Sequence, residues 1–177
     1  MKGALGAIVA TVGLALATTQ VSAAPKKVHA NLEPSNEVPA VSSPASGHFS
    51  AVINEDTESI DWELTFEGLQ ATITQSHIHF AQPNVNGNIV VWLCGTATNP
   101  GPSGTQVCPQ SGTISGVITG SNIQNQPTQG IAPGEFDELV AAIQRGLAYA
   151  NVHTSQSTGG EIRGQIRQGA GGNNNQQ

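Results

Sequence analysis

Short segments of alternating polar and apolar residues run through most of the chain and are separated by turn residues. Residues 59–66 show the pattern clearly, because Ile60, Trp62, Leu64 and Phe66 fall on one side of an extended strand. The same two-residue period, bounded by Gly, Pro, Asn and Asp, recurs elsewhere. We therefore predict strands over residues 28–32, 47–54, 59–66, 73–80, 87–93, 111–119, 148–154 and 160–167.

A different apolar period marks one segment before the last two of these strands. Its apolar residues recur at three- and four-residue spacing, which is typical of one face of a helix. Acidic residues follow Pro133 at the start of the segment, and Arg145 and Gly146 stand at its end, as expected for helix termini. The chain is therefore predicted to be mainly β, an antiparallel β-sandwich or barrel with one short helix near residues 135–146. The apolar face of this helix comprises Phe136, Leu139, Val140, Ile143 and Leu147.

The two ends of the chain differ from this central domain, which we place over residues 28–168. Residues 1–23 begin with Lys2, continue with an apolar run and end in a small-x-small motif, the pattern of a cleaved secretory signal. An uncleaved membrane anchor is the alternative interpretation. Residues 169–177 consist almost entirely of Gly, Asn and Gln, and we expect them to be disordered. The mature protein is thus predicted to be secreted or periplasmic, without stable membrane insertion.

The charge of the chain argues against nucleic acid as a partner. Its 177 residues carry 12 acidic and 6 basic side chains, which gives a formal net charge of −6. The basic residues are scattered, whereas binding to a phosphate backbone requires clusters of Lys and Arg. We expect the partner, which is unknown, to be an extracellular protein or a glycan.

The chain has two cysteines, Cys94 and Cys108, on either side of a segment rich in Gly, Pro, Thr and Asn. Export would place them in an oxidising compartment, where a disulfide closing this loop would stabilise the fold by about 3 kcal/mol. Two free thiols or a thiolate metal site are the alternatives. Neither cysteine belongs to a Cys-x-x-Cys pair or neighbours a histidine, which favours the disulfide.

The strand over residues 73–80 contains a His-x-His pair, His77 and His79. Residues two apart lie on the same face of a strand, so both imidazoles project from one face and Ile78 projects from the other, which we expect to be the core. The backbones of two such residues are about 7 Å apart, which allows their rings to converge on one metal ion.

Two later strands carry further polar residues on one face each. His153 and Asn151 share a face over residues 148–154, and Glu161 and Arg163 share one over residues 160–167. If these faces adjoin the His-x-His face, they form one cluster that suits copper or zinc. The alternative is an ordinary solvated strand face with a structural hydrogen-bond network. The predicted metal ligands are His77, His79 and His153, with Glu161, Arg163 and Asn151 as outer support.

Several motifs taken together resemble the CHRD (chordin) domain family, over nearly the whole of the mature domain. They are NEVPAV at 36–41, WELT at 62–65, HIH at 77–79, GLAYANVHT at 146–154 and GGEIRGQ at 159–165. The resemblance implies an extracellular β domain but no settled activity. The chain departs from the family pattern at Gly159, where the family more often has Pro, and in the longer connection that contains Cys94 and Cys108.

A weaker likeness is to the sandwich of Cu/Zn superoxide dismutase. It would match His77, His79 and His153 to copper ligands and Arg163 to an arginine that guides the anion, while a bridging histidine and the remaining zinc ligands have no counterparts. The sequence contains no nucleophile elbow, phosphate loop or dinucleotide fingerprint. We therefore predict a secreted CHRD-domain protein, a non-enzymatic binding or structural domain with a copper or zinc site. A copper-dependent redox enzyme of the dismutase type is the alternative.

Overall fold

The computed structural model describes residues 24–169. The predicted signal sequence lies outside the described residues, as does the predicted tail apart from Gly169. The strands and the α-helix within the described part are, in chain order, β1 (Lys26–Leu32), β2 (Ser46–Asn54), β3 (Ser59–Glu67), β4 (Ile73–Phe80), β5 (Asn88–Cys94), β6 (Gly112–Ile118), α1 (Phe136–Gln144), β7 (Ala148–Thr154), β8 (Ile162–Gln165) and β9 (Arg167–Gln168).

The strands form two antiparallel sheets. The first has five strands in the order β6-β3-β2-β1-β9, and the second has four in the order β5-β4-β7-β8. The prediction of a mainly β sandwich with one short helix is confirmed. The helix ends at Arg145, whose N–H donates to the backbone of the preceding turn, and Gly146 then takes a positive φ of 68°. No helix among residues 24–169 has the length and apolar character needed to cross a membrane.

The core contains the inward-facing residues of both sheets. In β3 buried and more exposed residues alternate along the strand, as the sequence pattern predicts. The register of the first sheet pairs Phe49 with Leu64 across strands β2 and β3. Ile78 and Val152, on the second sheet, are fully buried in the same apolar cluster. Burial of such side chains stabilises the fold by about 1.5–3 kcal/mol each.

Strand β7 departs from this alternation, because all seven of its residues are buried. A strand with one face on the core and the other in water would alternate, as β3 does. Both faces of β7 are therefore covered. Loops over residues 33–45, 81–87 and 155–161 cover the outer face, and two of these loops are joined where the Asn86 side chain donates to the Val38 carbonyl at 3.1 Å.

The last predicted strand, over residues 160–167, is wrong as a single element. The structure has two shorter strands there: β8 pairs with β7 in the second sheet, and β9 pairs with β1 in the first. The chain changes sheets at Ile166, whose N–H donates to the Ala148 carbonyl at 2.8 Å. Ile162 and Ile166 are both buried and keep the same sequence period, so alternation alone does not reveal the break.

The predicted disulfide joins Cys94, the last residue of β5, to Cys108, with 5.0 Å between the Cα atoms. The loop that it closes lies against the ring of Trp92. A side chain at Gly101 would come within 2.7 Å of that ring, so Gly at this position allows the close approach. The disulfide therefore fixes a loop that packs on the outer surface of β5.

We expect the variant Cys94→Ala/Cys108→Ala to lose about 3 kcal/mol of unfolding free energy, because the cross-link closes a loop of about 15 residues in the unfolded chain. Urea denaturation followed by tryptophan fluorescence measures the loss. A reductant should destabilise the wild-type protein by a similar amount and leave the variant unchanged. Equal stability of the oxidised wild type and the variant would contradict the prediction.

Candidate metal centre

Three histidine rings meet on the covered outer face of the second sheet. His77 and His79 project from β4, and His153 projects from β7, where it pairs with Gln75, two residues before His77. The ring centroids are 5.0 Å apart for His77 and His153, and 5.4 Å apart for His77 and His79. One nitrogen from each ring lies within 4.8 Å of the other two. The sequence left open whether the polar faces adjoin, and in the structure those of β4 and β7 do, which brings the three histidines together.

The cluster is shielded from solvent. The exposed fraction is 0% for His77, 7% for His79 and 5% for His153. The alternative interpretation of the His-x-His pair as a solvated strand face is therefore wrong, because the loops over β4 and β7 exclude water from it. A buried polar side chain requires partners for its ring nitrogens.

Backbone carbonyls fix the tautomers of two rings. His79 Nδ1 lies 3.0 Å from the Gly87 carbonyl, and His153 Nδ1 lies 3.0 Å from the Thr158 carbonyl. A carbonyl oxygen only accepts hydrogen bonds, so the proton of each neutral ring is on Nδ1 and each Nε2 carries a lone pair. Metal-binding histidines are held in this way, with one N–H on a carbonyl and the other nitrogen free to coordinate.

The tautomer of His77 follows from that of His153. His77 Nδ1 lies 3.3 Å from His153 Nε2, which has only a lone pair to offer, so His77 Nδ1 donates. The Nε2 atoms of His77 and His79 are then buried lone pairs, and neither has a hydrogen-bond donor among the described residues. Leaving such groups unsatisfied costs about 1–3 kcal/mol each. A bound cation would satisfy them.

The 3.3 Å separation of His77 Nδ1 and His153 Nε2 is itself informative. Two nitrogens bound at about 2.0–2.1 Å to one tetrahedral ion are about 3.4 Å apart. His77 Nδ1 and His153 Nε2 have that spacing, but they share a hydrogen bond, so both can bind one ion only when the His77 proton is on Nε2 instead of Nδ1. His79 has to approach more closely for all three to share an ion, since the three candidate nitrogens are spread over up to 4.8 Å.

Burial keeps the three imidazoles neutral. It lowers the pKa of His77 to about 2, with further lowering by the neighbouring His153 and His79. Burial likewise lowers the pKa of His79 to about 3 and that of His153 to about 4. Neutral imidazole is the form that coordinates a metal, so the rings are in the ligand state at neutral pH without deprotonation.

Aromatic rings form the walls of the cluster. The Tyr149 ring stacks on His79 at 4.8 Å and 3° between planes, and the Arg163 guanidinium lies over the Tyr149 ring, 4.5 Å from its centroid. Trp92 meets His77 edge-on, with 4.2 Å between centroids. The histidines are thus held between rigid rings, and the cationic group nearest to them through this stack is Arg163.

Arg163 belongs to a buried ion pair that the sequence prediction did not contain. Its Nε donates to Glu37 Oε2 at 2.6 Å, and Asn151 Nδ2 donates to the other oxygen of Glu37, also at 2.6 Å. Burial raises the pKa of Glu37, while the Arg163 charge and these hydrogen bonds act in the opposite direction. The pair is shielded almost completely, with side-chain exposures of 5% and 2%.

Two glycines of the GGEIRGQ segment make room for this arrangement. A Cβ at Gly160, whose φ is 127°, would lie 2.5 Å from both Glu37 Oε1 and Asn151 Nδ2. A Cβ at Gly164 would overlap the backbone carbonyl of Asn31. Gly160 therefore allows the turn before β8 to pack against the loop that contributes Glu37, and Gly164 allows β8 to pack closely against β1.

The predicted supporting residues have different positions. Arg163 and Asn151 are near the cluster but bind Glu37 rather than a histidine. Glu161 lies before β8, where strand alternation no longer applies, and its carboxylate accepts from Ser43, Thr154 and the Gln70 backbone. The N–H groups of His79 and His153 donate instead to backbone carbonyls in loops, which no side-chain pattern reveals. Glu37 does have a sequence signal, the NEVPAV segment.

Comparison with known proteins gives one match. Residues 28–166 match the family described as CHRD domain, which covers most of the chain. Neither the curated proteins nor the solved structures contain a match to the chain. The likeness to superoxide dismutase sandwiches is thus not supported beyond the histidine motif.

The metal-free protein should lose stability as the pH falls from 7 to 5. The folded-state pKa values of about 2, 3 and 4 lie below the ordinary histidine value of 6.5, so below pH 6.5 the unfolded chain binds protons that the folded protein does not. Each histidine that stays neutral contributes a slope of up to about 1.4 kcal/mol per pH unit. Urea denaturation across this pH range measures the slope, which His153→Asn should reduce. A flat profile would contradict the depressed pKa values.

Replacing Glu37 by Gln should destabilise the protein by about 3–5 kcal/mol, because it leaves the Arg163 charge buried without a counter-charge. Denaturant unfolding of Glu37→Gln beside the wild type measures the loss. Adding Arg163→Met to Glu37→Gln removes the unpaired charge and should restore part of the stability. A loss below about 0.5 kcal/mol in the single variant would show that the pair is not a stabilising element.

Proposed function

Because the chain belongs to the CHRD domain family, we propose that it is an exported, non-enzymatic binding domain that holds one copper or zinc ion through His77, His79 and His153. The observation that carries the proposal is the pair of buried Nε2 atoms, on His77 and His79, that lack a donor among the described residues. Native proteins rarely leave such groups without a partner. A metal ion is the partner that three converging neutral imidazoles suit best.

The arrangement of N–H groups also favours a metal. A structural hydrogen-bond network would direct ring nitrogens at donors and acceptors of the protein. Here the Nδ1 atoms of His79 and His153 donate to backbone carbonyls and His77 Nδ1 donates to His153 Nε2, which leaves His77 Nε2 and His79 Nε2 without a partner among the described residues. Carbonyl-oriented imidazoles of this kind are the usual outer support of a metal site.

Two features favour binding over redox catalysis. A catalytic metal keeps an open position that a substrate can reach, whereas these rings are at most 7% exposed. The dismutase-like alternative also requires Arg163 to guide an anion. Its Nε donates to Glu37 and its Nη2 donates to Asn86 at 2.7 Å. These contacts within the protein occupy the guanidinium N–H groups that would have to bind an anion.

Export is supported by two independent features. The first 23 residues carry the pattern of a secretory signal, and Cys94 and Cys108 form a disulfide of the kind that persists in oxidising compartments. The domain would then work in the periplasm or outside the cell. An extracellular protein or glycan is the partner we expect there.

Calorimetric titration of the purified protein with Cu²⁺ and with Zn²⁺ at neutral pH tests the proposal. We expect one ion to bind per chain, and the variant His77→Ala/His79→Ala to lose that binding because it removes two of the three ligands. Metal should also raise the melting temperature of the wild type, as any ligand of the folded state does.

The chain offers a matched control in a second histidine pair. His29 and His48 lie on the first sheet with their ring centroids 6.4 Å apart and are exposed. The variant His29→Ala/His48→Ala should bind metal like the wild type, and circular dichroism should show that both double variants are folded. Equal metal affinity in the wild type and in folded His77→Ala/His79→Ala would sink the proposal.

A further inference from the structure

The ligands that surround the proposed ion are all neutral. The three imidazoles would coordinate as neutral ligands, and the two buried carboxylates among the described residues, Glu37 and Glu161, are engaged elsewhere. Glu37 is bound by Arg163 and Asn151, and Glu161 is bound by the hydroxyls of Ser43 and Thr154 and by the Gln70 N–H. Within residues 24–169, therefore, no anionic side chain offsets the charge of an ion at the cluster.

An ion in this position also loses its hydration. Since the three rings are 0–7% exposed, an ion among them is separated from bulk water. The cost of removing an ion from water rises with the square of its charge, so a divalent ion loses roughly four times as much hydration energy as a monovalent one of similar size. Without an anionic ligand, contacts with the protein offset little of the extra hydration energy that a divalent ion loses.

The number of ligands points in the same direction. Zinc in proteins takes four ligands, and Cu²⁺ prefers four or more in a tetragonal arrangement. The cluster supplies three nitrogens, and its walls are the rings of Trp92 and Tyr149. The Tyr149 hydroxyl lies 3.2 Å from the Gly87 N–H that donates to it. Three nitrogen donors are enough to complete the coordination of Cu⁺, a monovalent ion with a filled d shell.

Resting on the proposed metal site, we propose that the His77, His79 and His153 cluster holds copper as Cu⁺ and discriminates against Cu²⁺ and Zn²⁺. No electron transfer is required, because the ion enters in its reduced form. The protein would then sequester reduced copper in an oxidising compartment, shielded from water by the covering loops. Holding copper only as Cu⁺ is compatible with a binding domain. It is not compatible with a redox cycle in which the same ion becomes Cu²⁺.

The decisive measurement is the ratio of the dissociation constants for Cu²⁺ and Cu⁺, obtained from the midpoint potential of the copper-loaded protein. The variant Gln75→Glu adds one negative charge beside the cluster, since Gln75 pairs with His153 across β4 and β7 and cross-strand partners share a face. A unit charge about 7 Å away, at an effective dielectric constant of about 20, should lower the ratio at least tenfold in favour of Cu²⁺.

The variant Gln168→Glu is the matched control. It adds the same charge on β9 of the other sheet, at an exposed position, and should leave the ratio within about twofold of the wild type. Anaerobic competition for Cu⁺ with a chromogenic chelator, and for Zn²⁺ with a fluorescent one, completes the comparison. Wild-type protein should bind Cu⁺ at least about a hundredfold more tightly than Zn²⁺.

Each outcome distinguishes this inference from the proposed function. Tight Zn²⁺ binding that His77→Ala/His79→Ala abolishes, with Cu⁺ bound no more tightly, would overturn the selectivity and keep the metal site. A midpoint potential that Gln75→Glu leaves unchanged would also overturn it, because the charge argument would then fail. If the wild type bound neither ion, that result would contradict both the metal site and the proposed function.

Discussion

The structure depends on the burial of a polar layer between the second sheet and the loops that cover it. In an ordinary sandwich the outer face of a sheet is solvated and its polar residues are satisfied by water. Here β7 is buried on both faces, so every polar group on its outer face has to find a partner within the protein. The Glu37 and Arg163 pair and the loop carbonyls meet most of this requirement, and His77 Nε2, His79 Nε2 and Asn151 Oδ1 are the buried side-chain atoms left without a partner among the described residues.

Most of the fold was predictable because strand alternation is a local property. Strands β4 and β7 begin and end at the residues that the sequence pattern indicates, and Ile78 and Val152 face the core as expected. The break between β8 and β9 was not predictable, since Ile162 and Ile166 keep their period while the chain changes sheets. Periodicity reports which face a residue occupies, but not which sheet the face belongs to.

The candidate site divides in the same way. The convergence of His77, His79 and His153 follows from strand parity and from the pairing of β4 with β7. The contacts of Glu37, the carbonyls of Gly87 and Thr158, and the position of Glu161 are set by loops, whose path is determined by tertiary packing. The side-chain pattern of the sequence does not predict which backbone carbonyl will accept a hydrogen bond from an imidazole. The polar residues of a buried face are therefore predictable, whereas their partners are not.

The long sequence separation within the cluster has a consequence for the order of events in the cell. His77 and His153 are 76 positions apart, and the loops that orient and cover them come from still other parts of the chain. The unfolded polypeptide has no such site. A chain translocated before folding would cross the membrane without metal, and metallation would follow folding in the destination compartment. The metal content of that compartment, rather than of the compartment of synthesis, would then decide whether the site is filled.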